Sequence, residues 1–285
     1  MAGVGTALIG ASKAVPGAFG VALFWVGAVL SSLGLLFVAG IEHKKVTLID
    51  RFTRADAAAA EAIEAGRALE RSVANRKALD KRRIAFREAS DAMGESLEQS
   101  LLNSESDLDA AIEFMLENAE PMLAEAIGFD TQEKWAISVF SKTGVGRSTR
   151  MSPSAGIRSK MLPKQKEPRK WPKGYGLVGV VWQTRRYAVI PDYSDPRVAE
   201  DYPLTEGLVR SYDAERYASM AGLPVLVGPD QKLWGVVAGS SDVTGRFVRA
   251  PDDKKSQAVD TIRLVSKSIA LAVAAFEVRN PSNND

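Results

Sequence analysis

Apolar residues dominate the first part of the chain, and polar patterning begins only after it. No charged residue lies between Lys13 and Glu42, and the core of this stretch is the 24-residue run from Ala18 to Ile41. A helix of this length measures about 36 Å, enough to cross a hydrocarbon layer of about 30 Å. A cleavable signal peptide has a shorter apolar region, of about 7–15 residues, and a small-residue cleavage site. The pattern therefore predicts a transmembrane helix over residues 14–41 after an N-terminal segment of residues 1–13.

The charges that flank this helix predict its orientation. Lys44, Lys45, Arg51 and Arg54 follow the helix, whereas Lys13 is the only charged side chain before it. An excess of positive charge marks the cytoplasmic side of a membrane protein. We therefore expect a single-pass protein of the inner (cytoplasmic) membrane whose C-terminal part is cytoplasmic.

Small residues recur along one face of the predicted membrane helix. Gly20, Gly27, Ser31 and Gly34 are separated by seven, four and three positions. Such a face allows two helices to approach closely, which favours self-association. Glycine is also common in membrane helices without any such role, so both interpretations remain open.

A charged, proline-free segment follows and is predicted to be helical over residues 42–104. Its apolar positions recur at spacings of three and four, but Arg76, Asp80 and Arg83 interrupt the stripe. A sustained coiled coil requires three to four clean heptads. A spacer helix and a parallel coiled-coil stalk for dimerisation therefore both remain open.

The pattern changes again in residues 105–278, where strand signals lie between two helical regions. The predicted strands are 135–141, 187–191, 223–227 and 233–240, and the last two flank the turn sequence Gly-Pro-Asp-Gln at 228–231. An amphipathic helix is predicted over 256–278, followed by a disordered tail over 279–285. This order predicts an α+β domain with an antiparallel sheet and helices on one face.

Composition limits the chemistry of this domain. The chain of 285 residues has a formal net charge of +2, no cysteine and one histidine, His43. The near-neutral balance disfavours a nucleic-acid partner, and a site built from thiolates or several histidines is excluded. No paired catalytic constellation is found, so the sequence indicates that the chain is not an enzyme.

Several segments together resemble the GAF domain family. They are Gly174–Gly179 (GYGLVG), Val189–Asp192 (VIPD), Tyr217–Val225 (YASMAGLPV) and Leu233–Val237 (LWGVV). The resemblance covers residues 108–277 and implies a PAS-like fold. It also implies a sensor domain, which binds a small ligand between its sheet and the covering loops or only dimerises. Bilin attachment and free methionine sulfoxide reduction in this family need a cysteine, so the cofactor stays unknown.

By this resemblance, the ligand-binding candidates are Gly176, Trp182, Arg186, Asp192, Tyr217 and Ser219. Arg186 is the first candidate for a cation that faces a small anionic ligand, because a buried anion without a partner is costly. Two alternatives remain open: Trp182 as a core residue, and Asp192 as a cap or as the partner of a nearby arginine.

The segment from Arg147 to Lys173 departs from the family pattern as a long basic insert. It carries nine cations and one acid, Glu167. A solvated loop, contact with anionic lipid headgroups and recognition of an anionic ligand are the three interpretations.

Together, these features predict a membrane-tethered cytoplasmic GAF-like sensor or regulatory protein that binds a small ligand or a protein partner. The alternative is a ligand-triggered, membrane-disrupting effector, as in prokaryotic antiviral defence, that acts by oligomerisation of its membrane helix. Membrane lipid and a second copy of the chain are the expected partners. The stripe expected to form a homodimer comprises Val259, Ile262, Ile269, Val273 and Phe276.

Overall fold

The computed structural model describes residues 18–103, 105, 107–162, 168–249 and 256–279. The predictions for the N-terminal segment 1–13, for residues 14–17 and for the tail 280–285 lie outside these ranges. The chain divides into two compact units, Met1–Asn75 and Arg76–Asp285, which are described separately.

In the first unit, the described residues form part of one long helix, α1, which runs from Ala18 to Leu102. Its segment Phe24–Glu42 is long and apolar enough to cross a membrane, a test that a signal sequence near the N-terminus also passes. These 19 residues measure about 28 Å along the helix axis. Large apolar side chains such as Trp25, Leu36 and Phe37 are exposed on this segment. Such exposure in a helix suits contact with lipid.

The described part of the second unit contains the last turns of α1, two short 3-10 helices (Gly146–Ser148 and Glu206–Leu208) and ten further α-helices and strands. In chain order these are α2 (Leu108–Ile127), β1 (Trp135–Thr143), β2 (Arg150–Arg158), α3 (Gly176–Thr184), β3 (Ala188–Ile190), α4 (Arg197–Asp201), α5 (Asp213–Arg216), β4 (Ser219–Val227), β5 (Lys232–Ser241) and α6 (Gln257–Arg279).

The five strands form one antiparallel sheet in the order β2-β1-β5-β4-β3. The prediction of an α+β domain with an antiparallel sheet is confirmed, and the hairpin β4–β5 turns at the predicted Gly-Pro-Asp-Gln sequence. Gly228 and Gln231 there adopt positive φ, at 72° and 52°.

The main core lies on one face of this sheet, under the last turns of α1, α2 and α6. It contains Ala89 and Met93 of α1, Ile112 of α2 and Ile137 of β1, together with apolar residues of α6. The domain therefore uses part of the segment predicted as a linker. The boundary predicted at residue 105 differs from that of the compact unit, which begins at Arg76.

The stripe on α6 that was expected to form a homodimer lies in this core. Val259, Ile262, Ile269, Val273 and Phe276 are each less than 5% exposed. They pack beneath the sheet and are not available to a second copy, so this part of the dimer prediction is wrong. An amphipathic helix alone does not reveal whether its apolar face packs within one chain or between two.

Strand β2 was not predicted, because it lies inside the segment interpreted as a basic insert. It is an edge strand, and Pro153 pairs with Phe140 at a register shift between Val139 and Phe140. Proline is tolerated at edges and bulges because no ladder hydrogen bond from its nitrogen is needed there. Part of the predicted insert is therefore an integral strand of the domain, while residues 163–167 lie outside the described ranges.

Candidate ligand-binding cavity

A cavity of about 330 Å³ lies on the outer face of the sheet, opposite the long helices. Its floor contains Ala136 and Ser138 of β1 and Ala238 and Ser240 of β5. These residues are direct cross-strand partners, Ala136 with Ser240 and Ser138 with Ala238. Successive side chains of a strand point to opposite faces, so small residues at alternate positions leave space on one face only. On the other face the alternate residues, such as Ile137, fill the main core.

The walls come from α3 and from irregular segments on both sides of it. They are largely aromatic and apolar, and include Trp171, Leu177, Tyr193, Tyr202, Leu204 and Tyr217. Ligand sites in proteins typically measure about 300–1,000 Å³ and combine apolar walls with a few polar groups. The cavity lies at the lower end of this range and has that composition.

Gly176 brings the start of α3 close to the wall residue Trp171. Its φ is +60°, and a Cβ atom on it would lie 2.4 Å from the indole ring of Trp171. A side chain at this position would meet both backbone strain and a rigid ring. Glycine is therefore required by the shape of the cavity wall.

Arg169 is the most buried cation of the cavity lining, and it forms an ion pair with Asp213. The two residues are 7% and 6% exposed. The second carboxylate oxygen of Asp213 accepts a hydrogen bond from the backbone nitrogen of Arg210 at 2.9 Å. Burial by itself would lower the pKa of Arg169, but the hydrogen bond and the charge of Asp213 outweigh it and raise that pKa above its usual value.

Three aromatic rings surround the Arg169 guanidinium. Its central carbon lies 5.6 Å from the ring centroids of Trp171 and Tyr212 and 5.8 Å from that of Tyr217. A cation within about 6 Å of an aromatic face is attracted by the quadrupole of the ring. The rings and Asp213 together hold the guanidinium in a fixed orientation at the cavity.

The Nε atom of Arg169 and the Oγ atom of Ser154 are buried in the lining, and neither has a hydrogen-bond partner within the described ranges. Buried donors in proteins are nearly always satisfied, so each such atom needs an explanation. A polar group that enters the cavity would supply one. No group of three or more His, Asp or Glu residues that could hold a metal ion is found in the described part of the chain.

Of the six predicted ligand-binding residues, the structure places Gly176 and Tyr217 in the cavity lining. Trp182 is half-buried and packs against the smaller apolar cluster beneath α3. Ser219 is fully buried and accepts a hydrogen bond from the Phe247 nitrogen at 3.0 Å, as a core serine would.

The other two predicted residues also lie outside the lining. Asp192 accepts hydrogen bonds from the backbone nitrogen and the hydroxyl of Ser194, at 2.9 and 2.7 Å, and so forms a local turn of its own. Arg186 is exposed, directly after Arg185, which ends α3 in the left-handed conformation. The expectation that Arg186 faces the cavity is therefore wrong.

Arg169, the most buried cation of the lining, was grouped with the basic insert. The backbone of Trp171 pairs with that of Met151 through two hydrogen bonds, of 2.8 and 2.9 Å. In this extended segment Arg169 and Trp171 share one side, while Lys170 is exposed. In the sequence, the alternation of Arg169, Lys170 and Trp171 is the local signal that could have indicated that Arg169 lines the cavity.

No family model and no curated protein matches the sequence. Solved structures match the fold at low identity. A methyl-accepting chemotaxis protein (residues 122 to 287) is 18% identical with a TM-score of 0.44, over 63% of this chain and 96% of that one. A GAF sensor protein from Burkholderia vietnamiensis is 18% identical with a TM-score of 0.39, over 64% and 93%. The predicted GAF-like fold is confirmed, and the likeness at this level concerns the fold alone.

A third match corrects a prediction. The type II free methionine-R-sulfoxide reductase of Thermoplasma acidophilum is 14% identical with a TM-score of 0.39, over 60% of this chain and 97% of that one. Enzymes therefore occur among structures with this fold. The prediction that the chain is not an enzyme is therefore wrong, because this fold does not exclude enzymatic activity.

Proposed function

We propose that the protein is a membrane-tethered sensor or regulatory protein whose GAF-like domain binds a small molecule in the cavity on the outer face of the sheet. The observation that carries this proposal is the cavity itself, with its aromatic walls, its small-residue floor and the buried guanidinium of Arg169. A cavity that brings a few polar groups together within apolar walls has the character of a binding site.

The apolar segment Phe24–Glu42 supports the tether. Its length suits the hydrocarbon layer, and the excess of Lys and Arg that follows it favours a cytoplasmic location for the domain. The protein is accordingly a single-pass protein of the inner membrane in this proposal. No feature of the described residues favours the membrane-disrupting alternative over a sensor.

Self-association remains part of the proposal through α1. Leu69 and Val73 are exposed on this helix, at 67% and 46%, at a spacing that one helix face shares. Whether α1 is a spacer or a dimerisation stalk decides whether the sensor acts as a monomer or as a homodimer.

A screen by thermal unfolding tests the binding site in the full-length protein in detergent. The variant Ser138→Leu fills the floor of the cavity, and Ser72→Leu on the exposed surface of α1 is its matched control. A metabolite at 100 times its Kd stabilises the folded state by about 2.7 kcal/mol, which raises the Tm by roughly 5–11 °C for a domain of this size.

We expect at least one compound of a metabolite library to stabilise the wild type and Ser72→Leu but not Ser138→Leu. Equal responses of the two variants to every compound would contradict the cavity as the binding site.

Carbonate extraction and fusion reporters test the tether. We expect the full-length protein to stay in the membrane pellet at alkaline pH, because a spanning helix is held by its apolar surface and not by charge. A reporter fused to the C-terminus should be active only if it functions in the cytoplasm. A soluble full-length protein, or a periplasmic signal, would refute the tether or its orientation.

A further inference from the structure

We infer that the cavity binds a small aromatic monocarboxylate, with its charged oxygens at Arg169 and its ring between the aromatic walls. This inference rests on the proposed function, because it identifies the ligand class of the same cavity.

The charge balance of the lining favours one negative charge on the ligand. Of the charged side chains in the lining, Arg169, Arg216 and Asp213 are buried or half-buried, whereas Arg158 and Glu113 are exposed to solvent. The two cations and one anion that are shielded from solvent leave a formal charge of +1, which a monoanion neutralises. In a low-dielectric cavity an unbalanced charge is costly, so a matching anion is favoured over a neutral or cationic ligand.

The hydrogen-bond inventory points to the same class. The Nη2 atom of Arg169 donates to Asp213, while the Nε atom has no acceptor in the described part of the chain. Guanidinium groups only donate, and a carboxylate only accepts, with two oxygens and about four lone-pair sites. A ligand carboxylate that reaches Nε gains a charge-assisted hydrogen bond, and Ser154 Oγ offers a second donor.

Two tyrosines of the lining add donors that stay protonated. Burial, and after it the charge of Asp213, raises the pKa of Tyr193 above its usual value of 10. Burial, and after it the charge of Asp201, does the same for Tyr202. Both hydroxyls therefore keep their protons at neutral pH and are able to donate to an oxyanion.

The walls and the size of the cavity favour an aromatic body. Trp171, Tyr193, Tyr202 and Tyr217 line the space, and aromatic pairs gain about 0.5–1.5 kcal/mol beyond burial of their area. A volume of about 330 Å³ corresponds to roughly eleven water-sized groups. One or two fused rings with a carboxylate match this size.

Calorimetric titration of the full-length protein in detergent tests the inference. The probes are benzoate, phenylacetate and indole-3-carboxylate, each compared with its own neutral amide, and acetate as the anion without a ring. We expect at least one aromatic carboxylate to bind with a Kd below about 1 mM and at least about 10-fold tighter than its amide. Acetate should not bind in the same concentration range.

The paired variant Arg169→Met/Asp213→Asn removes the cation without leaving a buried charge behind. We expect it to lose at least about 10-fold in affinity for the carboxylate and to leave the affinity for the amide unchanged. The variant Ser72→Leu should retain the full preference for the carboxylate.

The outcomes separate this inference from the proposed function. Amides that bind as tightly as carboxylates would overturn the ligand class and leave the cavity as a binding site. If the three carboxylates do not bind but a library compound stabilises the wild type and not Ser138→Leu, the ligand class is likewise overturned and the cavity remains the binding site. If none of the three carboxylates binds, and Ser138→Leu responds to every library compound as Ser72→Leu does, the proposed function is refuted as well.

Discussion

The ion pair between Glu133 and Arg246 offers a sharp test of what holds the domain together. The Glu133 side chain is fully buried, whereas Arg246 keeps 18% of its side chain exposed. The carboxylate accepts two hydrogen bonds from Arg246, at 3.0 and 2.6 Å, one from the Asp130 nitrogen at 3.0 Å and one from the Ser241 hydroxyl. Glu133 thus joins the start of β1 to the end of β5 and to the segment after it.

Removal of the arginine leaves a charge without its main partner inside the domain. For Arg246→Ala we expect a loss of about 3–5 kcal/mol in the free energy of unfolding, because the carboxylate stays buried. For a folding unit of this size each kcal/mol lowers the Tm by about 2–4 °C, which gives a decrease of roughly 6–20 °C.

The effect of Glu133→Gln on the free energy of unfolding should have opposite signs in the wild type and in Arg246→Ala. In the wild type it removes a charge-assisted pair and costs about 1.5–3 kcal/mol. In Arg246→Ala it removes an unpaired buried charge and keeps an acceptor for Asp130 and Ser241, so it should restore about 1–3 kcal/mol.

Urea unfolding of the full-length protein in detergent, followed by tryptophan fluorescence, measures all four members of this cycle. Arg197→Ala is the control, because its ion pair with Asp195 lies at the surface and should not measurably affect stability. Equal destabilisation by Glu133→Gln in both backgrounds would refute the reasoning.

Two further substitutions test local features of the domain. Gly176→Ala should destabilise the domain by about 2–4 kcal/mol, because positive φ and the Trp171 ring both oppose a Cβ atom. Its control is Gly207→Ala, which has open space around the new Cβ atom and should change stability by less than about 0.5 kcal/mol. Asp109 lies largely at the surface, and its partial burial, and after it the charge of Asp107, raises its pKa above 3.8. Ionisation of Asp109 therefore opposes folding at pH values above the raised pKa, and this penalty disappears as the pH falls below 3.8. The Tm of Asp109→Asn minus that of the wild type should therefore increase from pH 3.5 to pH 7, and a constant difference would contradict this.

The parts of the fold that follow from local patterns were predictable. The apolar run, the break before α2, the β4–β5 hairpin and the amphipathic α6 each carry a complete local signal in spacing or turn chemistry. Strand β2 carries none, because Pro153 and its basic neighbours resemble a loop until the strand pairs with β1. Local sequence also does not reveal that α1 enters the domain core through Ala89 and Met93.

The candidate site was predictable only in part, for a related reason. The resemblance to GAF domains indicated both Gly176 and Tyr217. Beyond its alternation with Lys170 and Trp171, Arg169 becomes distinctive through Asp213, which lies 44 positions later in the chain. Its pairing is a tertiary property, whereas Arg186 was inferred from position alone.

The Arg169–Asp213 pair is better explained by function than by stability. Replacing a buried ion pair by neutral residues of similar volume is often neutral or stabilising, whereas removing one partner costs about 3–5 kcal/mol. We therefore expect Arg169→Met alone to lower the Tm strongly, because Asp213 is only 6% exposed. The paired variant Arg169→Met/Asp213→Asn should unfold within about 1–2 kcal/mol of the wild type, since the Asn side chain still accepts from the Arg210 nitrogen. Thermal and urea unfolding of the full-length protein measure both variants. If the paired variant is as unstable as the single one, the ion pair serves the fold itself, and its position at the cavity then says nothing about a ligand.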